Sequence, residues 1–285
     1  MKAMIFAAGL GTRLKPITDT MPKALVPVCG QPLLYHVITK LVAAGYDDIV
    51  VNVHHFPDRI IHYLHSHEFG ARIAVSDERD FLRETGGGIK YAAPMLVDEE
   101  IPGQAGNDGG YQAGNDRNVL GDDGCSRHGR PDWPSLQELF LVHNVDIVSN
   151  LDLKWLREQH RAGALATVVV SERKTQRYLL FDDDGRLKGW TNIATGEVRS
   201  PHPDLDPDRC RKLAFAGIHL ISPAIFEAFD RLGFGDRFSI MDFYIQACAA
   251  YPIYATVPPD FTMVDVGKFD QLADAEAICA HLLNR

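Results

Sequence analysis

Cysteine is sparse in this 285-residue chain, and what there is lies scattered. Cys29, Cys125, Cys210, Cys248 and Cys279 are odd in number and form no C-x-x-C pair. That pattern argues against a disulfide framework and a zinc site, and the expected compartment is the reducing cytoplasm. Long apolar runs are absent too, so no stretch reaches the length that a bilayer-spanning helix needs. The N-terminus carries Lys2 but passes directly into an apolar strand and a glycine loop, which does not fit a signal peptide. Positive charge is in short supply: 29 Lys and Arg stand against 38 Asp and Glu, a net charge of -9. Nucleic acid and anionic membrane surfaces are therefore poor candidates for the main partner, although a local basic pocket remains compatible.

What is present is a regular alternation. The apolar run Met4–Ala8 reads as a buried parallel strand. A helix follows from Leu33 to Ala44, ending at Gly45. Strand Ile49–Val53, a helix around Asp58–Ser66 and strand Ile73–Ser76 come next. After Gly86-Gly87-Gly88, Ile89–Met95 reads as helix. Leu139–Val142 is the next buried strand, and a helix over Leu153–Gly163 leads to strand Ala166–Val170. This rhythm predicts an α/β fold, a mostly parallel mixed sheet with helices on both faces. Ligands bind at the carboxyl ends of the strands in such sheets.

The second half changes character. Tyr178–Phe181 and Leu187–Trp190 flank the turn Asp182-Asp183-Asp184-Gly185 and predict a hairpin. Leu213–Ile221, Ile253–Val257 and Met263–Val266 read as strands, Pro223–Phe229 as a helix start and Lys268–Leu283 as a closing helix. Such antiparallel pieces point to a smaller substrate-side subdomain within one domain spanning 1–285. Residues 103–134 break the pattern. They are rich in Gly, Asp and Asn and repeat Gln104–Asp108 as Gln112–Asp116. With almost no apolar side chains to offset ordering entropy, the segment reads as a solvated low-complexity insertion.

The most informative segment is Gly9-Leu10-Gly11-Thr12-Arg13-Leu14 followed by Pro22-Lys23. A strand that runs into a glycine turn bearing Thr, Arg and Lys is built to meet phosphates. Glycines let backbone N–H groups approach an anion, and the cations neutralise it. A dinucleotide-binding loop would instead need G-x-G-x-x-G opening a helix, and this glycine run breaks into Thr-Arg.

With Pro27-Val28 and Gly30-Gln31-Pro32-Leu33 added, the segment resembles the signature of sugar-1-phosphate nucleotidylyltransferases. Glu84–Ile89, Phe215–His219 and Val264–Gly267 look most like the short uridylyltransferases that act on N-acetylmuramate 1-phosphate. The resemblance implies a three-layer α/β/α nucleotidyltransferase fold with an antiparallel sugar-side subdomain. It implies transfer of a nucleoside monophosphate from an NTP, UTP or GTP, to a sugar 1-phosphate, releasing pyrophosphate. Guanylyl transfer to mannose or heptose 1-phosphate is the alternative substrate pair, and a catalytically weak sugar-nucleotide sensor on the same fold is the alternative class. Nucleotide-sugar and cell-wall biosynthesis in the cytoplasm would be the setting.

The roles implied by the resemblance fall on particular residues. Arg13 would neutralise the departing pyrophosphate, while Ala8, Gly9, Gly11 and Thr12 hold the triphosphate. Lys23 would sit between the α-phosphate and the incoming sugar phosphate. Asp146 and Asp265, each at the end of a short apolar strand, would hold Mg²⁺ and should converge on one site. Glu84, Thr85, Gly86 and Gly87 would form the base-side wall. Asn144, Trp190, Asn192 and Gly217 would face the sugar, and Arg173, Lys174 and Arg177 are open candidates for its phosphate. Val145, where the family usually has Gly, would narrow the pocket. The histidines, His54, His55 and His143 among them, are expected to pack or cap.

Overall fold

Alternate residues of the central strands feed opposite cores, and this sets the layering. The computed structural model describes residues 1–97, 139–267 and 271–283. In strand β1 (Lys2–Phe6) Ala3 and Ile5 join one apolar cluster while Met4 joins the other. A pleat has period two, so a strand apolar at every position must be covered on both faces. Two further short strands, β2 (Pro27–Val28) and β3 (Gln31–Pro32), form a hairpin that leads into α1 (Leu33–Ala43). Strand β4 (Asp48–Val53) repeats the alternation of β1, with Ile49, Val51 and Val53 on one side and Val50 on the other. Helix α2 (Pro57–His65) then leads to strand β5 (Arg72–Asp77).

Two helices come next. Helix α3 (Glu84–Tyr91) takes in the glycine run itself, and Pro94 opens a separate short α4 (Ala93–Leu96). The sequence predicts the glycines before one helix; instead the run is helical, its bare face packing flush against the Asp236–Phe238 segment. The insertion at 103–134 lies outside the described residues.

Beyond it come β6 (Phe140–Asn144), β7 (Ile147–Ser149) and α5 (Leu153–Glu158). Helix α5 is capped by Asp152, whose carboxylate accepts from the N–H groups of Lys154 and Trp155 at 2.8 and 3.1 Å. It stops five residues short of Gly163, which adopts φ +77°. The predicted hairpin forms as β9 (Arg177–Phe181) and β10 (Leu187–Asn192), after β8 (Ala166–Ser171) and before β11 (Glu197–Arg199). The long β12 (Arg211–Ile221) is followed by α6 (Ala224–Arg231) and α7 (Ile240–Ala247). Sequence patterning alone does not single out α7, whose N-terminus is capped by Ser239. Strands β13 (Ile253–Thr256) and β14 (Met263–Asp265) and helix α8 (Gln271–Leu283) complete the described elements.

The sheet is mixed. Its path runs β11-β10-β9-β12-β6-β1-β4-β5, with β8 pairing β12 and β13. From β6 to β5 the pairs are parallel, and from β12 to β11 they are antiparallel. The antiparallel pieces therefore extend the main sheet through β12. Helices α1, α2, α5 and α8 supply residues to one cluster, and α3, α4, α6 and α7 supply the other. The result is an α/β/α arrangement, stabilised chiefly by apolar burial at about 1.5–3 kcal/mol per fully buried large side chain.

Register positions the site. Phe6, at the carboxyl end of β1, pairs with Asn52 of β4 on one side and Asn144 of β6 on the other. Each strand end thus delivers a polar residue to the rim where the loop Ala7–Arg13 begins.

Candidate active site

A cleft of about 540 Å³ opens at these strand ends. Ala8, Gly9, Gly11, Thr12, Arg13, Lys23, Glu84, Thr85, Asn144, Val145 and Asp146 all line it, so most of the expected site residues share one cavity. Leu10 and Gly267, from the first loop and from Val264–Gly267, line it as well, as do Phe6, Ala7, Asn52, Leu82 and Ser239, which sequence reasoning did not single out. Of these, Asn52 carried a signal: it is the one amide in the apolar run Ile49–Val53, and a polar residue buried in a strand needs a partner.

The loop after β1 is held from below. Thr18 donates to the Gly11 carbonyl at 2.8 Å, and the Leu14 N–H donates to the same oxygen at 2.8 Å. Arg13 projects over Gly267, where an added Cβ would stand 2.7 Å from both an Arg13 guanidinium nitrogen and Asp265 Oδ1. Lys23 is only 8% exposed, and its ammonium forms an ion pair with Asp146. A buried lysine with a carboxylate partner keeps its charge fixed at one point.

Asp146 and Asp265 converge despite their separation in sequence. Strands β7 and β14 pair antiparallel, with Asp265 opposite Ile147, and the Val266 N–H donates to the Asp146 carbonyl at 2.8 Å. Burial raises the Asp265 carboxyl above its ordinary range and the charge of Asp146 adds to this, while Lys23, Arg13 and Arg173 oppose it. Its Oδ1 is buried with no hydrogen-bond partner. An orphaned carboxylate oxygen beside a second carboxylate fits a hard cation. Among the described residues no three acidic, His or Cys side chains cluster as a metal cage. Two carboxylates with phosphate oxygens and water are the donor set suited to Mg²⁺.

The segment expected to wall the base is built differently from that expectation. Glu84 opens α3 with φ +62°, a strained value for a side-chain-bearing residue. Thr85 accepts from the Ile240 N–H at 2.9 Å. Gly86 and Gly87 do not border the cleft. A Cβ on Gly86 would stand 2.2 Å from the Phe238 ring, and one on Gly87 2.2 Å from the Asp236 carbonyl oxygen. The room these glycines leave is filled by the segment leading into α7, and Leu82, Glu84, Thr85 and Ser239 border the cleft.

The residues expected on the sugar side divide. Asn144 borders the cleft. Gly217 lies behind it in β12 at φ +73°, where a Cβ would stand 2.8 Å from Asn144 Nδ2. Its bareness seats Asn144. Trp190 and Asn192 do not border the cleft: Trp190 packs on the second core with Arg199 5.9 Å from its ring centre, and Asn192 accepts from the Ala194 N–H in a turn. Of the three basic candidates, Arg173 is the one whose charge acts on Asp265, and it donates to the Phe215 carbonyl at 3.1 Å. Val145 is 4% exposed and packs in the apolar core beneath the cleft that it borders.

The histidines pack or cap. His54 Nδ1 contacts the Glu78 carbonyl at 2.8 Å and His55 Nε2 the Thr18 carbonyl at 3.3 Å. Burial holds His143 neutral, pushed down to about 4.

Residues 2–105 match the family described as nucleotidyl transferase. An N-acetylmuramate alpha-1-phosphate uridylyltransferase from Caulobacter vibrioides is 50% identical over 97 residues, covering 33% of this chain and 40% of that protein. A UTP–glucose-1-phosphate uridylyltransferase from Synechocystis is 29% identical over 279 residues, covering 94% of this chain and 60% of that protein. The chain thus spans 40 to 60% of the length of these two relatives. HddC from Yersinia pseudotuberculosis, solved with GMP-PN, shares the fold at TM-score 0.65 and 19% identity, covering 97% of this chain and 98% of that one. Among the described residues, no helix is long and apolar enough to cross a membrane.

Proposed function

We propose, from the match of residues 2–105 to the nucleotidyl transferase family, that this chain transfers a nucleoside monophosphate from an NTP to a sugar 1-phosphate. The products are an NDP-sugar and pyrophosphate. The observation that carries the reading is the convergence of Gly9–Arg13, Lys23 and Asp146 on one cleft, with Asp265 beside them.

The reaction joins two anions, so positioning and charge stabilisation supply most of the rate. The turn Gly9–Thr12 offers backbone N–H groups to the triphosphate, and Arg13 balances the charge that grows on the departing pyrophosphate. Lys23 fixes a point charge where the sugar phosphate oxygen approaches the α-phosphorus. Its ion pair with Asp146 keeps that charge from swinging away before substrate arrives. Asp146 and Asp265 would hold Mg²⁺, which when bound supplies neutralisation of phosphate oxygens. Leu82, Glu84, Thr85 and Ser239 wall the base. Asn144, seated by Gly217, faces the sugar, and Arg173 is assigned to the sugar phosphate.

Uridylyl transfer to an N-acetylmuramate-type sugar 1-phosphate is the favoured substrate pair, supported by the 50% identity to the Caulobacter protein over 97 residues. Guanylyl transfer is kept as the second reading because the GMP-PN-bound neighbour shares the fold. The test is a matrix of four NTPs against a panel of sugar 1-phosphates, read as Mg²⁺-dependent pyrophosphate release. Release with UTP and N-acetylmuramate 1-phosphate is expected. Release with GTP alone would move the assignment to guanylyl transfer, and no release with any pair would end the enzyme reading.

A further inference from the structure

One buried amide touches both halves of the proposed nucleotide site. Asn52 is 3% exposed in β4. Its Oδ1 accepts from two consecutive backbone N–H groups, Ala7 at 2.7 Å and Ala8 at 3.2 Å. These are the first two residues after β1, where the chain leaves the sheet to become the glycine turn. Its Nδ2 donates to Glu78 Oε1 at 2.8 Å, and Glu78 Oε2 accepts from the Arg83 N–H at 3.3 Å. Arg83 immediately precedes α3, and Leu82, Glu84 and Thr85 around it border the cleft. A continuous path of hydrogen bonds therefore runs from the turn to the base-side wall through two buried side chains.

The glycine run explains its last member by the same contact. A Cβ on Gly88 would stand 3.0 Å from Glu78 Oε1 and 3.2 Å from Asn52 Nδ2. Any larger residue would press α3 off the amide–carboxylate pair. The side-chain chemistry is equally restrictive. The turn needs an acceptor and Glu78 needs a donor, and an amide of this length offers both at once. Aspartate offers no donor, and a hydroxyl has one oxygen for three partners.

We propose that Asn52 and Glu78 are positioning residues that tie the triphosphate-binding turn to the base-side wall and so fix the spacing between the two subsites of the nucleotide. The proposal rests on the nucleotidyl transfer reading for its ligand, but not for the tether itself. Both side chains act through the backbone of Ala7, Ala8 and Arg83.

The test exchanges donor and acceptor. In Asn52→Asp two carboxylates face each other, with Arg83 and His54 the charged and titratable groups around Glu78. The pair is then satisfied only while it holds a shared proton. In the double variant Asn52→Asp, Glu78→Gln the roles swap. The new carboxylate on β4 accepts throughout, while the new amide opposite donates to it and still accepts from the Arg83 N–H. Two readouts are used on the full chain. Calorimetric titration with Mg²⁺-UTP and Mg²⁺-GTP should show N52D weakened about tenfold or more relative to wild type, increasingly so as pH rises. The double variant should recover to within about threefold, without that pH dependence. Amide exchange should show Ala7, Ala8 and Arg83 losing protection together in N52D and regaining it in the double variant, while Ile5 is unchanged. If wild type binds neither nucleotide, the functional reading fails and the exchange readout alone decides the tether. N52D indistinguishable from wild type by exchange, or a double variant no better than N52D, overturns the proposal.

Discussion

Alanine at Gly217 and alanine at Gly233 should differ in cost, and the difference isolates one physical cause. Both glycines adopt φ +73°. An L residue in that left-handed region costs roughly 1–2 kcal/mol at either position. Gly233 ends α6 with nothing within 4 Å of an added Cβ, so the conformational cost is all it should show. At Gly217 the Cβ would meet Asn144 Nδ2 at 2.8 Å, Asn144 Cγ at 3.1 Å and Ile147 Cγ1 at 3.1 Å. Those neighbours are side chains of β6 and β7, so the Asn144 amide and Ile147 must shift to admit it. Overpacking of this kind adds about 1–3 kcal/mol. We therefore expect G233A to lose about 1–2 kcal/mol and G217A about 2–5 kcal/mol by urea unfolding. The gap corresponds to a few degrees in Tm, at about 2 °C per kcal/mol for a chain of this size. Pyrophosphate release should be unchanged in G233A. In G217A it should fall about tenfold or more, because Asn144 and the adjoining Asp146 shift. Equal losses of stability in the two variants, or full turnover in G217A, would refute the argument that Gly217 exists to seat Asn144.

Three further outcomes follow from the site. Asp265→Asn removes one of two adjoining carboxylates, so it should raise the stability of the metal-free protein by about 1 kcal/mol while lowering turnover about 100-fold or more. Thermal shift with and without Mg²⁺ is the check, and a variant as active as wild type would remove Asp265 from the site. Lys23→Gln leaves Asp146 without its partner and should cost about 2 kcal/mol, less than a fully buried pair because both ends keep some solvent contact; unchanged urea midpoints would contradict the pair's importance. Burial pushes His143 down to about 4 and His219, bonded to the Tyr244 hydroxyl at 2.6 Å, down to about 3. Their folded values lie below the ordinary 6.5, so the unfolded chain takes up protons first. Their contribution is complete above that pH and is lost as pH falls below it, at up to about 2.7 kcal/mol per pH unit for the two together. Replacing His219 by Gln should roughly halve the part of the slope due to these two between about pH 6 and pH 4; an unchanged slope would mean that His219 titrates normally.

Much of the fold was legible because its signals are local. The apolar runs of β1, β4 and β6 announce strands buried on both faces, and α1 shows its stripe and its terminal Gly45. The stretch from Gly9 to Lys23 was legible as part of the cleft for the same reason: a glycine turn bearing Thr, Arg and Lys is encoded by residues a few positions apart. Trp190 illustrates the opposite case. An aromatic followed by an amide two residues on looks like a sugar platform, but β10 turns Trp190 toward the second core, and its Asn192 is consumed by a turn. Gly86, Gly87 and Gly217 were recognisable as significant, yet what each glycine makes room for lies far away in sequence, in Phe238, Asp236 and Asn144.

The sequence by itself determined the chemistry available at the first loop and the order of strands and helices, because both depend on short-range spacing. Only the tertiary structure decided which distant residues share the cleft. The pairing of β7 with β14 brings Asp146 to Asp265, and the register of β1 sets Asn52 and Asn144 on either side of Phe6. Side-chain period fixes which face a strand residue takes, but the partner across the sheet is chosen by long-range packing, which no local pattern records.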